Sequence, residues 1–281
     1  MADFPRTMVG GLSLPRLICG SNWLLGYSHT TVAKDRLIKE LFDTPAKVAK
    51  VIEVFARAGC NAFMSMPNEF VRAALDEVEQ RTGAEMLWVA TPGYAEGGDP
   101  DSWKRSVELT QRLRAQFCFP HQSVTDPLLD KAHKRLDPLL VDHLRLVREA
   151  GLIPGLSSHA PEAIICADGC DADVETYIQP YNAAGFLCQV ETDWLQHIIR
   201  NARKPVMTIK PLAAGRLHPV IGLTFAWNTI RDCDMITLGT MSTYEAEEAI
   251  EISRAGLAGR EAKVGLQFTR SKMGLVDGTS P

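Results

Sequence analysis

His121, the run Ser157-Ser158-His159, Gln179 and Lys210 each stand just past a short apolar run and just before a loop or helix start. His29 occupies a polar, aromatic loop after the first such run. Imidazole titrates near neutrality and can give or take a proton at a reacting atom. Three readings of His29, His121 and His159 follow. They can hold a divalent metal with one open position for Lewis-acid or hydroxide chemistry. They can hydrogen-bond a polyhydroxylated or carbonyl substrate, one serving as general acid or base. Or they can be satisfied polar side chains that share no ligand. Lys210 ends the apolar segment VMTIK, where an ammonium is costly without a partner and desolvation favours the neutral amine. It suits an ion pair, a donor to bound substrate or oxyanion, or a Schiff-base nucleophile. Glu69 and Glu191 are the nearest candidates for its partner or for a general base, although carboxylates at helix entries also serve the helix dipole. His133, His143, His197 and His218 fall in helical or surface segments and are given no role.

These residues need a scaffold that brings segments far apart in sequence to one place. Arg6 to Leu14, with Gly10-Gly11 in the middle, predicts a hairpin, because paired glycines supply the positive φ of a tight turn. Leu17-Ile18-Cys19 is a first buried strand, and further strands are predicted near 62–66, 86–91, 117–121, 153–157, 176–180, 206–210 and 235–239. Helical periodicity fills the intervals: a helix begins at Thr44-Pro45 and ends at Gly59, and others lie near 69–82, 102–115, 136–150, 161–167, 192–202, 219–231 and 243–255. Eight strand–helix units in strict alternation predict a single (β/α)8 barrel over residues 1–281, with the hairpin at 1–15 and a polar tail at 256–281. An open doubly wound sheet would carry a glycine-rich turn after its first strand, and CGSNWLLG lacks that fingerprint.

In such a barrel the chemistry collects where the strands end. Gly215-Arg216 and Gly239-Thr240-Met241-Ser242 follow the last two strands, where barrels bind phosphate on backbone amides, while Glu245, Glu247 and Glu248 favour plain helix capping by Ser242 or Thr243. Asn22, Trp23 and Tyr27 with His29 suit stacking on a ring or sugar, or simple closure of the mouth.

A net charge of -4 over 281 residues, with 46% hydrophobic and 23% charged residues, describes a globular chain with no basic surface for nucleic acid. Its seven cysteines are odd in number and scattered, with Cys166 and Cys170 too isolated for a zinc knuckle, so they read as reduced thiols. No export leader and no membrane-length apolar run is visible, so a cytoplasmic protein is expected, with a small-molecule substrate, no nucleic-acid or membrane partner, and self-association as a homo-oligomer left open.

From the fourth strand onward the chain resembles the aldo-keto reductases. LVREAGLIPGLSSHAPEAI is similar to their approach to the fifth strand, YIQPYNAAG to the sixth, IKPLAAGRL to the seventh, and ITLGTMSTYEAEEAIE to the eighth strand and its helix. The resemblance implies a barrel of that type, a nicotinamide cofactor across the mouth, and an Asp, Tyr, Lys and His assisting hydride transfer to a carbonyl. CFPH gives His121 the place of the catalytic histidine. The other three groups are missing: AFMSMPNEF puts Met64 at the aspartate position and shortens the loop that carries the tyrosine, and VATPGY puts Pro92 at the lysine position. Tyr27 and Tyr94 are the tyrosines available as a substitute acid. The resemblance further implies nicotinamide contacts at Ser157 and Gln179, to which the barrel phosphate site adds Gly215, Arg216, Thr240 and Ser242 as expected cofactor contacts. Against it, Ser158 replaces an asparagine, Ala249 an adenine-binding asparagine, and Ser242-Thr243-Tyr244 lacks a basic residue for a 2′-phosphate, so any dinucleotide bound would be the non-phosphorylated one.

Carbonyl reduction needs a tuned proton donor, and methionine and proline supply none. The leading expectation is therefore an enzyme for a small carbonyl or sugar-like compound working without redox, by acid-base or metal-assisted isomerisation, elimination or hydrolysis. In it His121 is acid or base, His29 and His159 orient substrate or ligate metal, and Lys210 stabilises an oxyanion. The alternatives are an NAD(P)-dependent oxidoreductase with a rebuilt proton relay, and a non-catalytic ligand-binding barrel.

Overall fold

A computed structural model describes residues 4–95, 98–265, 267 and 272. The chain opens with an antiparallel hairpin, β1 (Arg6–Val9) and β2 (Leu12–Pro15), turned at Gly10 and Gly11 with φ of +55° and +85°. Then come β3 (Leu17–Gly20), α1 (Asn22–Leu25), α2 (Val32–Leu41), α3 (Pro45–Arg57), β4 (Ala62–Ser65), α4 (Glu69–Thr82), β5 (Leu87–Ala90) and α5 (Trp103–Arg112). Next are β6 (Phe117–Cys118), α6 (Gln122–Thr125), a small ribbon of β7 (Leu129–Asp130) and β8 (Arg135–Leu136), and α7 (Pro138–Glu149). The chain continues through β9 (Ile153–Pro154), β10 (Leu156–Ser157), α8 (Glu162–Gly169), β11 (Tyr177–Pro180), α9 (Thr192–Asn201), β12 (Val206–Ile209), α10 (Pro219–Thr229), β13 (Met235–Leu238) and α11 (Thr243–Ala258).

All inter-strand pairings in the central sheet are parallel, in the order β10-β11-β12-β13-β3-β4-β5-β6-β9. β9 and β10 are two halves of one stave interrupted at Gly155. The first half pairs with β6 and the second with β11, so the ring closes through this residue. A Cβ on Gly155 would stand 2.6 Å from the Phe119 ring, which fills the barrel beside it. Gly155→Ala should therefore destabilise the fold by about 1–3 kcal/mol through overpacking, measured by urea unfolding.

Alternation along the staves sorts the apolar side chains into two cores. Ile18, Ala62, Met64, Leu87, Val89, Phe117, Phe119, Ile178, Met207 and Met235 point inward and pack with Val9 and Leu14 of the hairpin, which plugs the barrel floor. Their outward neighbours, such as Cys19, Phe63, Trp88, Tyr177 and Val206, pack under the helices with residues like Phe55, Leu75, Leu195 and Leu223. With the inside filled by side chains, open volume is left at the ends of the staves.

Eight staves and the hairpin lie where the apolar runs predict them. Four elements go beyond the prediction. The first loop contains α1 and α2, and the segment after His121 folds into α6 and the β7–β8 ribbon. α11 runs on to Ala258, three residues into the expected tail, whose remainder falls mostly outside the described residues. Thr44 stands at the N-cap of α3 ahead of Pro45, but its side chain makes no capping hydrogen bond. Among the described residues no helix is long and apolar enough to cross a membrane, and all seven cysteines are free thiols.

Candidate functional site

The staves open onto a cavity of about 930 Å3 lined by His29, His121, His159 and Lys210 together with Tyr27, Met64, Ser157 and Thr237. Each of the first four is positioned by a different local device.

His121 ends the β6 stave and is the N-cap of α6. The Ser123 amide donates to its Nδ1 at 3.3 Å, and Ser123 Oγ lies 2.9 Å from the same nitrogen. Because a backbone N–H can only donate, Nδ1 is an acceptor and the neutral ring carries its proton on Nε2. Burial depresses the His121 pKa; Asp126 opposes that and Lys210 reinforces it.

His159 follows β10. Its backbone N–H donates to Asp126 Oδ2 at 3.4 Å while the Ser158 hydroxyl donates to Asp126 Oδ1, so one carboxylate pins the turn that presents the imidazole. Burial, followed by the repulsive influence of Lys210, His121 and His29, lowers the His159 pKa to about 4. At neutral pH it is a free base.

Lys210 follows β12 directly. Alternation sends Val206 outward, Met207 inward and Ile209 to the cavity, which would turn residue 210 outward. Instead Lys210 has φ of +60°, and its side chain joins the mouth. Ala213 and Ala214 share this left-handed conformation, at +50° and +55°. Such strain on non-glycine residues persists only where the surroundings impose it. Lys210 Nζ lies 3.2 Å from His29 Nε2, which also faces Asn22 Nδ2 at 3.1 Å. An ammonium can only donate, so His29 Nε2 accepts and its proton sits on Nδ1. Burial lowers the Lys210 pKa to about 8, and among the described residues no carboxylate forms an ion pair with it. Of the expected partners, Glu69 pairs with Arg112 at 3.1 Å and Glu191 stands at the N-cap of α9. Burial and the Lys210 charge also hold the His29 pKa down.

Arg216 is a brace for the first loop. It donates to Ala213 O and His29 O, and its guanidinium lies 4.2 Å from the Phe186 ring centroid. Phe186 in turn meets His29 edge-on at 6.4 Å.

The cofactor expectations fare unevenly. Ser157, Gly215 and Thr240 line the cavity. Gln179 does not: it is fully buried on the outward parity of β11, donating to His159 O at 3.3 Å with its Oε1 unpartnered. Ser242 caps α11 by accepting from the Glu245 amide, and the Glu245 carboxylate accepts from the Met241 amide at 2.6 Å. The amide expected to receive phosphate is thus answered by a carboxylate of the chain. Glu245 and Glu248 line this end of the cavity, and the Trp23 indole covers it, 3.1 Å from where a Cβ of Gly239 would be. With Glu245 on the Met241 amide and Glu248 beside it, this end of the cavity does not fit the pyrophosphate of a dinucleotide. Tyr94 is engaged elsewhere, its hydroxyl 3.0 Å from His143 Nε2 and its ring edge-on to Trp103. Tyr27 stays at the rim.

The metal expectation is not met by this arrangement. Among the described residues no group of three His, Cys, Asp or Glu side chains is placed to hold a metal ion. The nitrogen that His29 would offer is taken by the Lys210 ammonium, whose charge also opposes a cation nearby.

Asp126, which positions Ser158 and His159 and acts on His121, is a site residue that reading the sequence missed. Its signal was faint: an acid before proline, five residues past His121, in a stretch without a strong helical period.

No protein-family model matches the chain, and no curated protein matches it. Solved structures do. A protein of Pseudomonas aeruginosa described as a "putative aldo-keto reductase" aligns over 91% of this chain and 97% of its own, at 15% identity and a TM-score of 0.62. An aldo-keto reductase from a Medee basin deep-sea metagenome aligns over 93% and 97%, at 6% identity and a TM-score of 0.53. The octameric ribulose-1,5-bisphosphate carboxylase/oxygenase of Pyrococcus horikoshii aligns over 78% of this chain and 57% of its own, at 12% identity and a TM-score of 0.53. Identities this low establish fold and leave activity to the site. In fold, the chain is a (β/α)8 barrel with an N-terminal hairpin, similar to the solved aldo-keto reductase structures.

Proposed function

We propose that this barrel is an enzyme for small hydroxy-aldehydes or hydroxy-ketones that moves a proton beside the carbonyl without redox, as an isomerase or lyase does. The observation that carries the reading is the meeting of Lys210 with His29, His121 and His159 on one cavity, with no carboxylate paired to the lysine among the described residues. Lys210 donates to the carbonyl oxygen and stabilises the negative charge that builds there as the neighbouring C–H bond breaks. His159, neutral at physiological pH, is available to accept the carbon proton. His121 presents Nε2–H to the cavity and can return a proton to oxygen or carbon. His29 holds Lys210, and Asp126 holds the turn that carries His159.

The test is incubation with glyceraldehyde, dihydroxyacetone and erythrulose, followed by proton NMR for isomerisation, carbon–carbon cleavage or loss of water. Turnover of at least one is expected. In parallel, NADH and NADPH should give no fluorescence change on mixing and no oxidation with simple aldehydes. Oxidation at ordinary enzyme rates, about 1 per second or above, would overturn the non-redox reading.

A further inference from the structure

We propose that Lys210 does more than donate a hydrogen bond: its amine adds to the carbonyl carbon and forms an imine with the substrate. The inference rests on the carbonyl-directed reading above.

Three features of the mouth support a nucleophile rather than a fixed charge. Lys47 meets Asp43 at 2.8 Å and Lys131 meets Glu162 at 3.1 Å, each a charged lysine held by a carboxylate. Lys210, half-buried above Met207 and Ile209, meets an imidazole instead. That imidazole is held with its lone pair toward Nζ, because Asn22 Nδ2 and Lys210 Nζ converge on the same nitrogen. An acceptor of this kind orients the amine and offers the ammonium proton a way out. Finally, the left-handed backbone at Lys210, Ala213 and Ala214 turns the side chain into the cavity against the alternation of its strand. Burial brings the pKa to about 8, so about a tenth of the side chain is reactive amine at pH 7, far more than for an ordinary lysine.

In the first step the Nζ lone pair forms a bond to the carbonyl carbon and the C=O π pair moves to oxygen, which takes a proton from solvent while His121 Nε2–H hydrogen-bonds it. In the second, a nitrogen proton passes to His29 Nε2, and the imidazolium so formed returns it to the hydroxyl, which leaves as water. The sum is amine, carbonyl and one solvent proton giving protonated imine plus water, with no change in oxidation state. The protonated imine then withdraws electrons from the neighbouring C–H bond more strongly than a hydrogen-bonded carbonyl does.

The experiment is reductive alkylation of the whole protein at pH 7 with cyanoborohydride and either formaldehyde or glycolaldehyde, each lysine being followed by peptide mass mapping. Lys210 is expected to react at least about tenfold faster than Lys47 and Lys104, since the amine fraction rises steeply as pKa falls. His29→Gln should slow Lys210 several-fold and leave the surface lysines unchanged. Alkylation of Lys210 no faster than the surface lysines, or fast but indifferent to His29→Gln, would overturn the proposal. Slow alkylation alongside intact turnover removes the imine and spares the acid-base reading. Fast alkylation without turnover of any hydroxy-carbonyl does the reverse.

Discussion

Replacing Lys210 with methionine is expected to lower turnover at least about hundredfold and at the same time to raise the melting temperature at pH 7. The first effect follows from losing the group that engages the carbonyl, whether as donor or as nucleophile. The second follows from its setting. The folded chain holds the ammonium half-buried with an imidazole as its partner, and burial lowers its pKa from 10.5 to about 8. Below pH 8 the lysine is charged in both folded and unfolded chains, and only the folded chain bears the desolvation cost. Between about pH 8 and 10.5 the folded lysine is neutral while the unfolded one still binds a proton, so wild-type stability rises with pH across this window. Above it both are neutral. The advantage of Lys210→Met should therefore be largest below pH 8 and shrink toward pH 10.5. Discounted for partial exposure, it is on the order of 1–2 kcal/mol, or about 2–4 °C per kcal/mol in a chain of this size. Thermal unfolding of both proteins at pH 7 and pH 10 checks the sign. A methionine variant less stable than wild type at pH 7 would mean that Lys210 is a structural anchor.

His121→Ala should cost about hundredfold or more in turnover, as expected when an imidazole moves a proton in the transition state. Its structural price is small: the α6 amide of Ser123 loses its acceptor, worth about 1 kcal/mol. His121→Asn, which can still cap α6, should recover the melting temperature without recovering turnover. The pH profile gives a second readout. Burial lowers the His121 and His159 pKa values, so the imidazoles stay neutral below the ordinary 6.5, and the acid limb of the wild-type profile should lie below that pH. Full activity in His121→Ala would remove this residue from the reaction and shift the proton transfer to His159.

The staves were legible because a parallel barrel buries both faces of each strand, so each reads as a short apolar run closed by a polar residue; VMTIK and LWVATP are examples. The floor was legible in Gly10-Gly11 between two alternating runs. His121, His159 and Lys210 could be placed at the mouth by the same logic, since the residue after the last apolar position of a stave must lie at its end. What the period could not give was direction. Lys210 reaches the cavity only because its φ is positive, a property the strand pattern does not encode. Gln179 goes the other way, into the layer beneath the helices, since nothing breaks the alternation of β11 there. The anion site failed for a local reason: Glu245 is one turn into α11, close enough to take the Met241 amide for itself. α1 lies within the expected polar and aromatic loop, whose residues interrupt any helical stripe, and α2 has no place among the expected elements because Thr31, which caps it, lies amid other small polar residues. Asp126 acts through the backbone of a segment more than thirty residues away, a contact no local pattern reveals.

The central claim is that the mouth transfers a proton beside a carbonyl, and deuterium exchange measures this step without knowledge of the product. Wild-type protein, Lys210→Met and His121→Ala would each be incubated in D2O at pD near 7.5 with dihydroxyacetone and glycolaldehyde, and loss of the proton signal next to the carbonyl followed by NMR. Wild type should exchange that proton well above the buffer rate, and both variants should fall close to it. Exchange at the buffer rate by wild type, or equal exchange by all three proteins, would contradict the account.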